Sequence, residues 1–150
     1  MAEPGRLSDE EQRTWRAFPA ATRRVFAELD RELQRDAGMP HAYHVVLVAL
    51  SEAPGRALRM TELARACGSS RSRLSHAVDR LEESGWARRA PSASDGRGAL
   101  ATLTDDGAAV LAAAAPGRVE GVRRHLFDRL SPARVGRLRA VSEAIPGGGP

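Results

Sequence analysis

Apolar residues recur at three- and four-residue steps through Trp15, Phe18, Val25, Phe26, Leu29 and Leu33, with Thr22 on the same stripe. That spacing predicts an amphipathic helix of about 30 residues. Ser8 stands three residues before Glu11, the spacing of a capping box, so the helix is expected to start at Ser8. Gly38 and Pro40 end it. Pro19 removes an amide donor inside the stretch and is expected to kink the helix or split it in two. A helix of about 45 Å exceeds what a small domain needs for its own core, and such helices pack against a second subunit.

After Pro40, the residues Tyr43, Val46, Leu47 and Leu50 mark a second, largely buried helix that stops at Pro54-Gly55. Ala57-Leu58-Arg59 reads as a short extended piece, and Thr61 as the cap of a short helix from Glu62 to Cys67. Gly68-Ser69-Ser70 is a turn. The helix expected next, Arg71 to Glu83, turns Leu74, Ala77, Val78 and Leu81 to one face and ends at Gly85. Trp86–Ala90 and Leu100–Leu103 read as two strands around a polar hairpin tip, Pro91 to Gly98. Thr104 caps an alanine-rich helix expected to be disturbed at Pro116-Gly117, and Ser131-Pro132 opens a last helix carrying Val135, Leu138 and Val141. The fold class is mainly α with a small β wing.

Composition changes the picture in two ways. All 23 basic residues are arginine, beside 19 acids and a net charge of +4. Without lysine, the high isoelectric point follows from composition, so only the placement of charge bears on partners. Residues 1–40 carry seven arginines against eight acids, whereas residues 65–97 carry seven against four. Aromatic content of 4% is thin for a monomer and leaves burial for a dimer to supply. The chain has no run of about 18 apolar residues, the length a membrane span needs. Its first residues lack the apolar segment of a secretory signal. A single cysteine cannot form an internal disulfide. The expectation is a cytoplasmic protein with no membrane partner.

Segment 61–103 then reads as helix, tight turn, helix and two-stranded hairpin, the order of a winged helix-turn-helix. With Leu74, Val78 and Leu81 inward, 100° per residue places Ser72, Arg73, His76, Asp79, Arg80 and Glu83 outward. The upstream half of that face offers Ser, Arg and His donors, and its acids lie downstream, which suits a recognition helix entering a major groove by its N-terminal part. At the wing tip, Arg97 between glycines fits a narrow minor groove, and Asp95 can orient its guanidinium. Taken alone, the helix fits an ordinary amphipathic surface equally well, and the tip an ordinary polar turn.

The ordered segments Met60-Thr61-Glu62-Leu63-Ala64, Ser70-Arg71-Ser72, Val78-Asp79-Arg80-Leu81-Glu82, Asp95-Gly96-Arg97-Gly98 and Leu103-Thr104-Asp105-Asp106-Gly107 add specificity. The chain from about 8 to 145 resembles the MarR (multiple antibiotic resistance regulator) family of bacterial transcription regulators, whose segments these match in order and spacing. The Leu130-Ser131-Pro132 entry to the last helix matches as well. The resemblance implies a homodimer of winged helix-turn-helix lobes on a pseudopalindromic duplex. It divides the chain into a disordered N-terminus (1–7), a MarR-type domain (8–145) and a flexible tail (146–150). Within the domain, 8–56 and 105–145 supply dimerisation and support helices, and 57–104 the winged helix-turn-helix. The DNA-binding residues it implies are Ser70, Arg71, Ser72, Arg73, Ser75 and His76 on the recognition helix and Arg97 on the wing. Thr61, Arg80 and Asp95 join them as peripheral or orienting residues. Two departures stand out: Gly96 replaces the wing's common second arginine, and Pro19 is foreign to the pattern.

Many relatives are released from DNA by small phenolic or lipophilic acids. The residues here that suit such an effector are Trp15, Arg16, Phe18, Tyr43 and His44, since an arginine beside aromatics fits an aromatic carboxylate. The same aromatics also fit a plain core. Cys67 faces inward at a helix end, where cysteine behaves as a small apolar residue. Three converging metal ligands are not recognisable, nor is a nucleophile elbow, phosphate loop or carboxylate pair, so no metal, cofactor or enzymatic activity is expected. Two function classes remain: a homodimeric, sequence-specific DNA-binding regulator, a repressor released by a small acid, or a helical dimeric protein-interaction scaffold with a degenerate DNA-binding lobe.

Overall fold

Ser8 opens the first helix through a capping box. Its backbone N–H and its hydroxyl both donate to Glu11 Oε2 at 2.7 Å, and the Glu11 N–H returns a bond to Ser8 Oγ at 3.3 Å. The computed structural model describes residues 5–92 and 98–145. The elements are α1 (Asp9–Ala37), α2 (His41–Glu52), β1 (Ala57–Arg59), α3 (Met60–Ala66), α4 (Arg71–Glu83), β2 (Ala87–Pro91), β3 (Ala99–Leu103), α5 (Asp105–His125) and α6 (Pro132–Ala144). Most of residues 1–7 and all of 146–150, together with Asp95, Gly96 and Arg97, lie outside the described residues. Among the described residues no helix is long and apolar enough to cross a membrane.

The chain divides into two units, one of residues 32–118 and one of residues 1–31 with 119–150. The first holds the main hydrophobic core. Leu47, Leu50, Leu63, Leu74, Val78, Leu81 and Met39 are fully buried there, with Tyr43 and Cys67 packed against them. Its sheet is antiparallel in the order β1-β3-β2, with Leu58 opposite Ala101 and Arg89 opposite Ala101 on the other side. The extended piece before α3 is therefore a third strand on the wing, pairing that no local pattern announces. The terminal unit buries Leu29 but exposes Trp15, Phe18, Phe26, Val119, Val141 and Ile145.

Three local expectations need correction. The first concerns α1, which is one continuous helix through Pro19 and so is not split in two there, as α5 is continuous through Pro116. The carbonyls orphaned by these prolines belong to the exposed residues Trp15 and Ala112, where water can take the missing bond. A second is the start of α3, which begins at Met60 with Arg59 as N-cap, so Thr61 sits one position inside the helix. Strand β1 delivers Arg59 already extended, and the Glu62 carboxylate accepts its backbone N–H at 3.4 Å. The third is Asp79, which is half-buried rather than outward, because its flank of α4 is the one that β2 passes.

Candidate nucleic-acid interface

The turn between α3 and α4 is built from backbone bonds. Ser69 N–H donates to Ala64 O at 2.9 Å and Gly68 N–H to Arg65 O at 3.1 Å. Gly68 takes φ +57°, the left-handed conformation that closes a helix, which glycine adopts without a Cβ penalty. Ser70 then caps α4, its hydroxyl accepting the Arg73 N–H at 3.3 Å. The first turn of α4 contains no acid. Its dipole and its arginines therefore present one positive end.

Burial of Leu74, Ala77, Val78 and Leu81 fixes the rotation of α4. Ser70, Arg71, Ser72, Arg73, His76 and Arg80 are all exposed, as the periodicity requires. Ser75 is half-buried, and it shares a 330 Å³ depression with Thr61 and Arg71. Among the described residues, Arg71 and Arg73 make no ion pair and are available to an external anion. Arg80 is different. It pairs with Glu83 at 2.8 Å, which raises its pKa through a hydrogen bond and the nearby charge.

Sequence reasoning passed over Arg65. It is exposed on α3 one turn beyond Thr61 and also lacks an ion pair among the described residues. The i,i+4 spacing from Thr61 is the signal that points to it. On β2, Arg89 binds α4. The Arg89 backbone N–H donates to Glu82 Oε1 at 2.6 Å, and its guanidinium donates to Glu82 Oε2 through Nε at 3.2 Å and Nη2 at 3.0 Å. Nη1 donates to Ser75 Oγ at 3.3 Å, and Nη2 also binds Asp79 Oδ1. Burial opposes this charge, but Asp79 and Glu82 outweigh it and raise the Arg89 pKa.

A second basic group lies at α2. The rings of His41 and His44 stack with centroids 6.5 Å apart. His44 is buried, and burial, then Arg118, then His41 lower its pKa. Burial also lowers the pKa of Arg118, whose Nη1 is enclosed with no hydrogen-bond partner among the described residues. Cys67 is half-buried and burial raises its pKa, which disfavours the reactive thiolate. Among the described residues no group of three metal-binding side chains converges.

A tight four-residue turn, a capped basic helix and a hairpin define a winged helix-turn-helix. Comparison with known proteins identifies its kind. The MarR family profile matches residues 37–98. Sco3205, a MarR family transcriptional regulator from Streptomyces coelicolor solved in complex with DNA, shares 51% identity, covering 95% of this chain and 89% of that one with a TM-score of 0.89. The chain belongs to the MarR family. AbsC, a MarR family regulator also from S. coelicolor, is 38% identical over 91% of each chain, with a TM-score of 0.84. A mutant MarR from E. coli, complexed with operator DNA, is 22% identical over 93% of this chain and 97% of that one, with a TM-score of 0.79, and it shares the fold. No match was found among curated proteins. Members of the MarR family are DNA-binding transcription regulators, and the lobe formed by β1, α3, α4 and the β2–β3 hairpin is this chain's winged helix.

Proposed function

We propose that the protein is a homodimeric repressor that seats α4 of each subunit in the major groove of a pseudopalindromic duplex and acts by binding rather than catalysis. The observation that carries this reading is the 51% identity to a regulator solved with DNA, joined to an α4 whose N-terminal half is exposed and whose Arg71 and Arg73 lack ion pairs among the described residues. Ser70, Ser72, Ser75, His76 and Thr61 supply hydroxyl and imidazole donors beside them. Arg80, with Asp95 and Arg97 from the wing segment outside the described residues, completes the proposed surface. Dimerisation draws support from the terminal unit, where Trp15 is 64% and Val141 57% exposed, surface that water disfavours. Such a regulator works in the cytoplasm, beside the chromosome.

Selection of bound sequences from a random duplex pool tests the reading. The expected product is a pair of inverted half-sites about one helical turn apart. Failure to enrich any sequence refutes it. Arg73→Ala with Arg97→Ala should then weaken binding and lower the salt slope, by about 0.9 for each phosphate no longer neutralised. An unchanged slope favours the scaffold reading.

Release by a small aromatic or lipophilic acid is the second half of the proposal. Of the residues chosen for it, Trp15, Arg16 and Phe18 belong to the terminal unit and are exposed, so a plain core is not their role within one chain. Tyr43 and His44 belong to the other unit. There the enclosed Arg118 Nη1 beside His44 favours an acid, because a carboxylate satisfies a donor that otherwise lacks a partner. Salicylate-like acids should release the selected duplex. A full panel without release removes that chemical class.

A further inference from the structure

Two of the three acids on the proposed recognition helix, Asp79 and Glu82, face the wing strand, on the lobe that meets a polyanion. Simple electrostatics makes them a liability, because each lowers the attraction for phosphate. Their geometry points elsewhere. Asp79 and Glu82 stand three residues apart on the flank of α4 that faces β2, with Ser75 one turn before Asp79. All three hold the side chain of Arg89. Glu82 also takes the Arg89 backbone N–H at 2.6 Å. Strand β2 is an edge strand, and this bond occupies a donor on its free side.

The Arg89 side chain is 27% exposed, against 51% for Arg80, which pairs with an exposed neighbour on its own helix. An i,i+3 pair of that kind fixes nothing outside the helix. Arg89 instead joins two elements that carry different parts of the DNA-binding surface. A planar guanidinium shared among two carboxylates and a hydroxyl restricts both the slide and the rotation of α4 against the wing.

We propose that Arg89 is a positioning residue for operator recognition, tying the wing strand β2 to α4 through Ser75, Asp79 and Glu82, so that two acids on the DNA-binding lobe strengthen specific binding. This rests on the DNA-binding reading above. Phosphate contacts tolerate small displacements, whereas base-edge contacts demand that helix and wing keep one relative placement. Loosening the tie therefore costs specific binding and leaves non-specific binding almost untouched.

The test turns on a sign. Asp79→Asn and Glu82→Gln are close to isosteric and remove negative charge. The double variant is compared with wild type on the pool-selected duplex and on a random duplex, across a salt series. We expect operator affinity to fall on the order of tenfold while random-duplex affinity holds or rises. Arg89→Gln should lower operator affinity likewise, with the random-duplex salt slope unchanged. General destabilisation scales both affinities by the folded fraction and leaves their ratio alone, so the ratio separates positioning from a merely structural role. Operator binding as tight as or tighter than wild type in the double variant overturns the proposal. So does a salt slope reduced by about 0.9 per subunit in Arg89→Gln, which would make Arg89 a phosphate ligand. If wild type selects no duplex at all, the DNA-binding reading itself fails, a distinct outcome.

Discussion

Gly107 is the residue at which steric and conformational terms oppose each other most clearly. It lies in the first turn of α5, where replacing glycine by alanine ordinarily gains up to about 1 kcal/mol of helix propensity. Here a Cβ would stand 2.0 Å from the carbonyl oxygen of Trp86 and 2.8 Å from Leu103 Cδ1. Neither neighbour is a flexible tip. The Trp86 oxygen is backbone and accepts the Thr104 N–H at 3.1 Å. Thr104 in turn donates its hydroxyl to Gly85 O at 2.6 Å and accepts the Gly107 N–H at 3.0 Å. Relieving the clash means moving the start of α5 away from the backbone between α4 and β2 by more than 1 Å, measured to the 3.4 Å at which ordinary contact begins. Two hydrogen bonds at about 1 kcal/mol each, and an overpacking cost of about 2 kcal/mol, exceed the propensity gain. Gly107→Ala should therefore lose about 3 kcal/mol. Urea denaturation at one fixed protein concentration measures it, since the proposed dimer would make stability depend on concentration. Gly117→Ala and Gly136→Ala are the internal controls. Both glycines lie in helices with nothing within 4 Å of a Cβ, so each should gain about 0.5–1 kcal/mol. A Gly107→Ala protein as stable as wild type refutes the steric reasoning.

Two further outcomes concern single side chains elsewhere in the lobe. His44 titrates below its ordinary 6.5 in the folded chain, so between the two values the unfolded chain binds the extra proton. Stability should fall as pH drops below about 6.5, and His44→Gln should flatten that part of a melting-temperature profile; an unchanged profile in the variant removes His44 as the cause. Ser70→Ala removes the hydroxyl that accepts the Arg73 N–H and should cost about 1 kcal/mol in denaturant unfolding, whereas Ser72→Ala, at an exposed position inside the helix rather than at its cap, should cost almost nothing.

Residue periodicity made α4 legible to its end residues. A 13-residue helix with four buried positions on one face has a single rotation that buries them all, and Ser70 and Gly85 mark its ends. The same rule misplaced Asp79. It lies at the edge of the outward arc, and what decides its exposure is a strand passing that flank, ten residues further on. Helical spacing says nothing about a neighbour on another element. Thr61 was misread for a related reason, because α3 starts where β1 ends, with Arg59 as N-cap and the Glu62 carboxylate accepting its backbone N–H. Trp15 and Phe18 were legible as an apolar stripe, but within this chain both are exposed and lie outside its core.

The arginines show where counting stops and geometry begins. Between residues 65 and 97 the chain carries seven of them against four acids, which as a sum suggests a mildly basic patch. The structure sorts them instead. Glu83 pairs with Arg80, and Asp79 with Glu82 holds Arg89, so three of the four acids are taken up by two arginines. Arg65, Arg71, Arg73 and Arg88 make no ion pair among the described residues and are exposed. Three of these four lie on α3 and on the first turn of α4. The positive field at the start of α4 is therefore undiluted by those pairs, and three of the four acids that lower the net charge stand further down the helix, bound to partners of their own. Charge neutralised within a pair decays over a shorter distance than charge left single. The lobe thus presents phosphate with a stronger local field than its composition implies, and uses its acids to hold the wing.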